Sequence, residues 1–370
     1  MKKLGFGLMR LPREGADASS PVRIDAAAGM ADEFIKNGFT YFDTAAPYHS
    51  GQSEGAFREA VAKRYPRDAY TITDKLSLFM IKDEKDIPGF FEKQLKELGV
   101  DYIDIYLIHA LDRESFARAE RMKAFDFVNK LKAEGRIKHA GFSFHDKAEV
   151  LDEILTAHPE MEYVQLQINY LDWESEKVQS RLCYETAVKH GKPVIVMEPV
   201  KGGSLVNVPE TVERMFKSYE QDMSVASWAI RFAASLENVV MVLSGMSNDE
   251  QIADNISYMK DFTPLSDEQM RIVMTAAKVI RDNITVPCTD CRYCVDDCPK
   301  KINIPGCFSV YNSMKREDKK DSYDAVAEYE KVTRGRGKAG DCIKCGRCEK
   351  HCPQTIPVRK FLEDISKELD

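Results

Sequence analysis

From residue 4 to about residue 243 the chain repeats one pattern, a short apolar, β-favouring run followed by a longer amphipathic segment. Eight such runs, at 4–7, 39–43, 70–75, 103–109, 138–143, 163–168, 193–198 and 239–243, read as strands. The intervening segments have helical spacing; Phe91, Leu95 and Leu98 share one face before Gly99 ends that helix. Eight βα units in this length match a (β/α)8 TIM barrel, whose functional residues gather at the C-terminal ends of the strands. A doubly wound open sheet is the competing arrangement, and the short, glycine-rich first run speaks against it. A helix over 267–281 is expected to close the barrel, and Pro287 marks a change of character. The expectation is an α/β chain with the barrel at 1–286 and a small, largely helical module at 287–370.

That second segment holds most of the cysteine. Nine of the ten cysteines follow Val286. Cys288, Cys291, Cys294 and Cys298, then Pro299, form C-x-x-C-x-x-C-x-x-x-C-P; Cys342, Cys345, Cys348 and Cys352, then Pro353, repeat it. This is the bacterial ferredoxin pattern for [4Fe–4S] clusters. Three thiolates at i, i+3 and i+6 wrap three corners of one cubane, while the fourth, after a longer step and a proline, points to the other. One cluster would take Cys288, Cys291, Cys294 and Cys352; the other would take Cys342, Cys345, Cys348 and Cys298. Zinc also accepts four thiolates, but zinc motifs generally use paired C-x-x-C knuckles. Cys183 and Cys307 remain, and read as small buried hydrophobes.

The stretch 300–341 is longer than in a compact ferredoxin and includes a helical piece at 323–332. It resembles the helix-containing ferredoxin modules fused to dehydrogenases. The tail, with Phe361, Leu362, Ile365 and Leu369 at helical spacing, is expected to dock as an amphipathic helix. Lys338, Lys344 and Arg347 near the second run form either a site for an acidic redox partner or an ordinary solvated face.

Charge and hydropathy exclude several classes. With 53 basic against 60 acidic residues, a formal net charge of −7, the chain lacks the basic surplus of a general nucleic-acid binder. No apolar run approaches the length of a membrane span or a secretory leader. Clustered cysteines in metal-ligand spacing suit a reducing compartment, so a soluble cytoplasmic protein is expected.

Four polar residues fall at or just beyond strand ends in the first half: Asp43, Tyr48, Lys75 and His109. On consecutive strands of a closed barrel they would converge on one rim. Their local sequences, Phe42-Asp43-Thr44-Ala45 with Tyr48 and Gly51-Gln52-Ser53-Glu54, Thr73-Asp74-Lys75, Leu107-Ile108-His109 and Gly141-Phe142-Ser143, together resemble the aldo-keto reductase family over about residues 1–281. The branch with a fused C-terminal ferredoxin segment is the one this chain looks like. The resemblance implies a catalytic tetrad interconverting a small carbonyl and alcohol by hydride transfer. Tyr48 would be the acid, Lys75 would favour its phenolate, Asp43 would hold Lys75, and His109 would orient the carbonyl or share the proton.

The same resemblance implies NAD(H) or NADP(H). Ser143 and Gln165 would hold the carboxamide, while Gly202 and Gly203 after the seventh strand and Ser244, Gly245, Gln251 and Asn255 after the eighth would surround the phosphates. Three departures stand out. Phe144 replaces a common asparagine, Met197 a common stacking tyrosine, and Gly245 with Gln251 the lysine and arginine that NADPH-dependent members use, which would favour NADH. Met9, Arg10, Tyr170 and Trp173 are expected near the pocket mouth. A nicotinamide gives two electrons together and a cluster takes one, so exchange between them would need an intermediary such as a flavin. The competing reading is therefore an electron-transfer or redox-sensing module whose barrel binds a flavin or a partner.

Overall fold

In a computed structural model, residues 2–15, 20–316 and 323–370 are described. They fall into two compact units: Met1–Glu174 with Val178–Pro199 and Ala229–Leu265, and Ser175–Lys177 with Val200–Trp228 and Ser266–Asp370.

The first unit is the barrel. Its strands are β1 (Leu4–Gly7), β2 (Tyr41–Asp43), β3 (Thr71–Leu76), β4 (Ile103–Leu111), β5 (Ile137–Phe144), β6 (Tyr163–Gln167), β7 (Val194–Met197) and β8 (Val239–Gly245). All neighbours pair in parallel, and β8 returns to β1 at Leu4↔Val242, so the sheet closes and the open-sheet alternative is ruled out. Closure follows from the burial of both sheet faces: an apolar strand with helices outside it needs a filled interior. Tyr41, Ile105, Leu107, Ile195, Met241 and Leu243 supply that filling. A Cβ at Gly141 would come 2.3 Å from the Tyr163 carbonyl oxygen, so only glycine lets β5 approach β6 there.

The outer helices bury the stripes their spacing predicts. Ile87–Leu98 buries Phe91, Leu95 and Leu98 and ends at Gly99 with φ 70°. Strand limits differ from the sequence reading by a few residues. Phe39 and Thr40 precede β2, whereas β4 runs on to Leu111 through an irregular pairing between Ile108 and Leu111. Apolar runs mark burial, and hydrogen bonding sets where a strand stops.

In the second unit the cysteine runs fold as two copies of one motif. Asp290, Arg292 and Lys301 in the first have φ of 49°, 68° and 51°; Lys344, Gly346 and Thr355, in the same places of the second, have 56°, 75° and 49°. Short helices, Tyr293–Asp296 and Arg347–Lys350, carry the third cysteine of each. Between the runs lie Ile304–Lys315 and Ala325–Thr333, the latter matching the helical piece expected there. The tail is a helix, Val358–Leu369, that buries Val358, Leu362, Ile365 and Leu369 and sets Phe361 edge-on to Phe308. The helix Asp267–Asn283 falls in this unit, as does the loop that begins at Val200.

Candidate active site and cysteine centres

The barrel gathers the four polar residues. Asp43 is the last residue of β2, Lys75 lies near the end of β3, and His109 lies near the end of β4. Tyr48 is carried by the turn after β2, which His49, Ser50 and Gly51 bend with φ of 52°, 55° and 89°. That turn is pinned by His49, whose Nε2 accepts the Leu11 amide at 3.1 Å.

Lys75 Nζ makes three bonds, to Asp43 Oδ1 at 2.6 Å, the Thr44 carbonyl at 2.8 Å and Tyr48 Oη at 3.3 Å. An ammonium has only donors, so Tyr48 accepts from Lys75 and keeps its own proton available to donate elsewhere. Burial, with the carboxylates of Asp43, Asp74 and Glu198, holds the Tyr48 phenol well above its usual range. A phenol that keeps its proton at rest is what the role of acid requires of Tyr48. Asp43 offsets the Lys75 charge at closer range, and the resting hydroxyl is a neutral donor.

His109 is buried, and desolvation, with Lys75 and His145 nearby, keeps its imidazole neutral. Its Nδ1 shares a 2.7 Å hydrogen bond with Ser77 Oγ, which fixes the ring and leaves Nε2 for a ligand. Tyr48 stands edge-on to His109 with ring centroids 6.2 Å apart, and exposed Phe79 tilts against the same imidazole at 5.5 Å.

Behind Lys75 lies a buried acidic pair. The Gln94 amide donates to Glu54 Oε1 at 3.0 Å and Asp74 Oδ2 at 2.9 Å, and receives the Tyr106 hydroxyl at 2.5 Å. Burial raises both carboxyls, Asp74 well above its usual range because Glu54 adds its charge. Asp74 Oδ1 accepts the Lys75 amide at 2.8 Å, so the pair anchors the backbone of the lysine.

Ser143 and Gln165 are register partners on β5 and β6. Ser143 Oγ accepts the Ala110 amide at 2.7 Å, and Gln165 Nε2 donates to Asp43 Oδ2 at 2.9 Å. The unused groups are a hydroxyl proton and an amide oxygen, the donor and acceptor that a primary carboxamide requires. After β8, Asn255 is taken up internally: it donates to Ser244 Oγ at 2.6 Å and accepts from Tyr258. Gln251 Oε1 caps the Ser247 amide at 2.7 Å. Gly245 leaves room for Arg10, whose Cγ would lie 3.1 Å from a Cβ there. Gly202 and Gly203, with φ of 65° and 96°, lie in the second unit.

Of the residues placed at the mouth, Tyr170 is fully buried, edge-on to Phe232, and Trp173 packs on the same phenylalanine. His145 was not singled out by the sequence. It sits two residues beyond Ser143, just past the end of β5; its Nδ1 is shielded from solvent without a partner, and burial pushes its imidazole down to about 4. The motif Gly141-Phe142-Ser143 stops one alternation short of it. A groove of about 600 Å³ lined by Ile87, Lys123 and Phe127 holds none of these groups.

In the second unit one cavity is lined by Cys288, Cys291, Cys294 and Cys352, and another by Cys298, Cys342, Cys345 and Cys348. Each mixes three cysteines of one run with the last of the other. Among the described residues no three His, Cys, Asp or Glu side chains converge as a mononuclear ion requires. A cubane spreads its four thiolates over separate irons, and these cavities suit that donor set. Cys183 and Cys307 are buried elsewhere, with burial pushing both thiols up to about 12.

Comparison with known proteins gives a consistent assignment. The model of the aldo/keto reductase family matches residues 3–278, and that of a 4Fe-4S dicluster domain matches residues 287–356. An aldo-keto reductase of Mycolicibacterium vanbaalenii is 28% identical over 72% of this chain and 86% of its own length. The NADH-specific methylglyoxal reductase of Escherichia coli is 24% identical over 76% and 96%. Among solved structures, the holo form of an aldo-keto reductase from Bacillus halodurans shares the fold, with a TM-score of 0.60 at 24% identity, over 75% of this chain and 92% of its own. Among the described residues no helix is long and apolar enough to cross a membrane.

Proposed function

Because the chain belongs to the aldo/keto reductase family and is an oxidoreductase carrying an iron–sulfur domain, we propose that its barrel interconverts a small carbonyl and alcohol, with Tyr48 as proton donor. A bound dihydronicotinamide supplies hydride to the carbonyl carbon. The carbonyl oxygen, as it gains negative charge, takes the Tyr48 proton, and Lys75 at 3.3 Å stabilises the phenolate left behind. Asp43 keeps Lys75 in place, and neutral His109 orients the carbonyl through Nε2. Ser143 and Gln165 hold the carboxamide. The observation that carries this reading is the Lys75 ammonium bonded to both Asp43 and Tyr48.

Ser244, Gly245, Gln251 and Asn255, at and after the end of β8, border the nucleotide. The absence of a lysine or arginine at Gly245 and Gln251, with a relative named as NADH-specific, supports NADH as the preferred cofactor. Phe79 provides an apolar wall and His145 an open hydrogen-bonding atom, which suits a small carbonyl compound with a second polar group.

The two cysteine sets hold two [4Fe–4S] clusters. These serve structure or single-electron transfer to a protein partner at that unit, while the tetrad itself needs only the nicotinamide. A second reading rests on the same cysteine sets: single-electron centres are suited to a barrel that binds flavin or a partner instead. Replacing Tyr48 by phenylalanine separates the two. Carbonyl turnover should fall by about 10²–10⁴-fold while iron and sulfide content stays level; unchanged turnover would sink the assignment.

A further inference from the structure

Gln354 lies two residues past Cys352 and lines the cavity of Cys288, Cys291, Cys294 and Cys352. It is 5% exposed. Its Oε1 accepts from Lys201 Nζ at 3.0 Å. Because an ammonium cannot accept, this bond settles which end of the amide faces the lysine. Nε2 therefore points away from Lys201, where it is shielded from solvent and has no hydrogen-bond partner in the protein.

A buried N–H donor left unmade is costly, and native structures seldom keep one without a purpose. The acceptors that a cluster would bring into this cavity are sulfurs. We propose that Gln354 Nε2 donates a hydrogen bond to a sulfur of the cluster held by Cys288, Cys291, Cys294 and Cys352, and that Lys201 is the positioning residue that turns the amide toward it. The proposal rests on the reading of that cysteine set as a [4Fe–4S] site.

Two further features agree. Lys201 is 1% exposed and holds φ 48°, a burial and a backbone conformation that lysine seldom adopts. Such a cost persists where the surroundings over-determine the residue. The equivalent of Gln354 in the other run is Lys300, which is exposed, so a buried amide stands at this position beside one cysteine set alone. The Asp290 amide, 3.5 Å from Cys288 Sγ, is a second donor to the same cysteine set. Hydrogen bonds to cluster sulfur favour the reduced, more negative state and raise the reduction potential.

The test is an anaerobic dithionite titration of the full-length cluster-loaded protein, followed by electron paramagnetic resonance, for wild type, Gln354→Leu, Gln354→Glu and Lys201→Met. With iron and sulfide at wild-type content, both Gln354 variants should lower one of the two midpoint potentials by about tenfold in the reduction equilibrium, 59 mV for one electron, and leave the other in place. Lys201→Met should give a smaller shift of the same sign. If Gln354→Leu loses iron, the equally sized glutamate variant decides. Midpoints that stay fixed, or that move together, overturn the proposal, whereas wild-type protein without two clusters' iron and sulfide overturns the parent reading instead.

Discussion

Lys75 Nζ lies 2.6 Å from Asp43 Oδ1, and both side chains are closed off from water. A buried pair contributes little over an apolar one, but removing one partner strands the other's charge. Asp43→Ala should therefore destabilise the barrel by about 3–5 kcal/mol, read from urea unfolding, and abolish carbonyl reduction. Asp43→Asn, which keeps one acceptor oxygen in reach of Lys75, should cost less. Equal stability of Asp43→Ala and wild type would mean that the pair does not hold the lysine.

Stability should depend on pH through partly buried histidines. His49 and His145 are held down to about 4 by burial, against 6.5 when exposed. Between those values the unfolded chain binds protons that the folded one refuses. Their contribution is fully present above pH 6.5 and is lost as pH falls toward 4. Asp74 and Glu54, raised by burial, act in the opposite sense: their contribution is present below the usual carboxylate range and is lost as pH rises through the folded value. The histidine part is isolated by comparing His145→Gln with wild type, and the variant should lose less stability between pH 7 and pH 5. Parallel unfolding midpoints in the two proteins would contradict it.

Cross-ligation between the cysteine runs gives a pairing test. Cys298→Ser and Cys345→Ser, in different runs, should damage the same cluster signal and leave about half the iron. Cys352→Ser should damage the other, together with Cys291→Ser. If Cys298→Ser instead shares its signal with Cys291→Ser, each run binds its own cluster.

What could be read in the sequence had a local physical cause. Strands buried on both faces read as apolar runs, so all eight were visible, with errors only where hydrogen bonding rather than burial ends a strand, as at Phe39 and Leu111. The mixing of the two cysteine runs in each cavity follows from spacing, because the longer step to the fourth cysteine carries it away from the first three. Ser77 and the Gln94 network were not, because each depends on a partner brought close by the barrel, and His145 was not, because it is set apart by its burial. Ser77 and His109 are 32 residues apart, and Gln94 and Glu54 are 40 apart. Tyr48 shows a further limit. Its residue type and position were legible, whereas its raised pKa depends first on burial and then on Asp43, Asp74 and Glu198 arriving around it.

The most direct measurement follows one atom. Protein is loaded with clusters anaerobically, a small aldehyde that supports turnover is chosen from a panel including methylglyoxal, and NADH deuterated at the transferring C4 position is supplied. Direct hydride transfer in the barrel places the deuterium on the carbinol carbon of the alcohol product, with the hydroxyl proton taken from Tyr48 and so from solvent. Product without deuterium on that carbon would show that electrons reach the carbonyl through a flavin or the clusters, and would contradict the assignment of the barrel as a nicotinamide reductase.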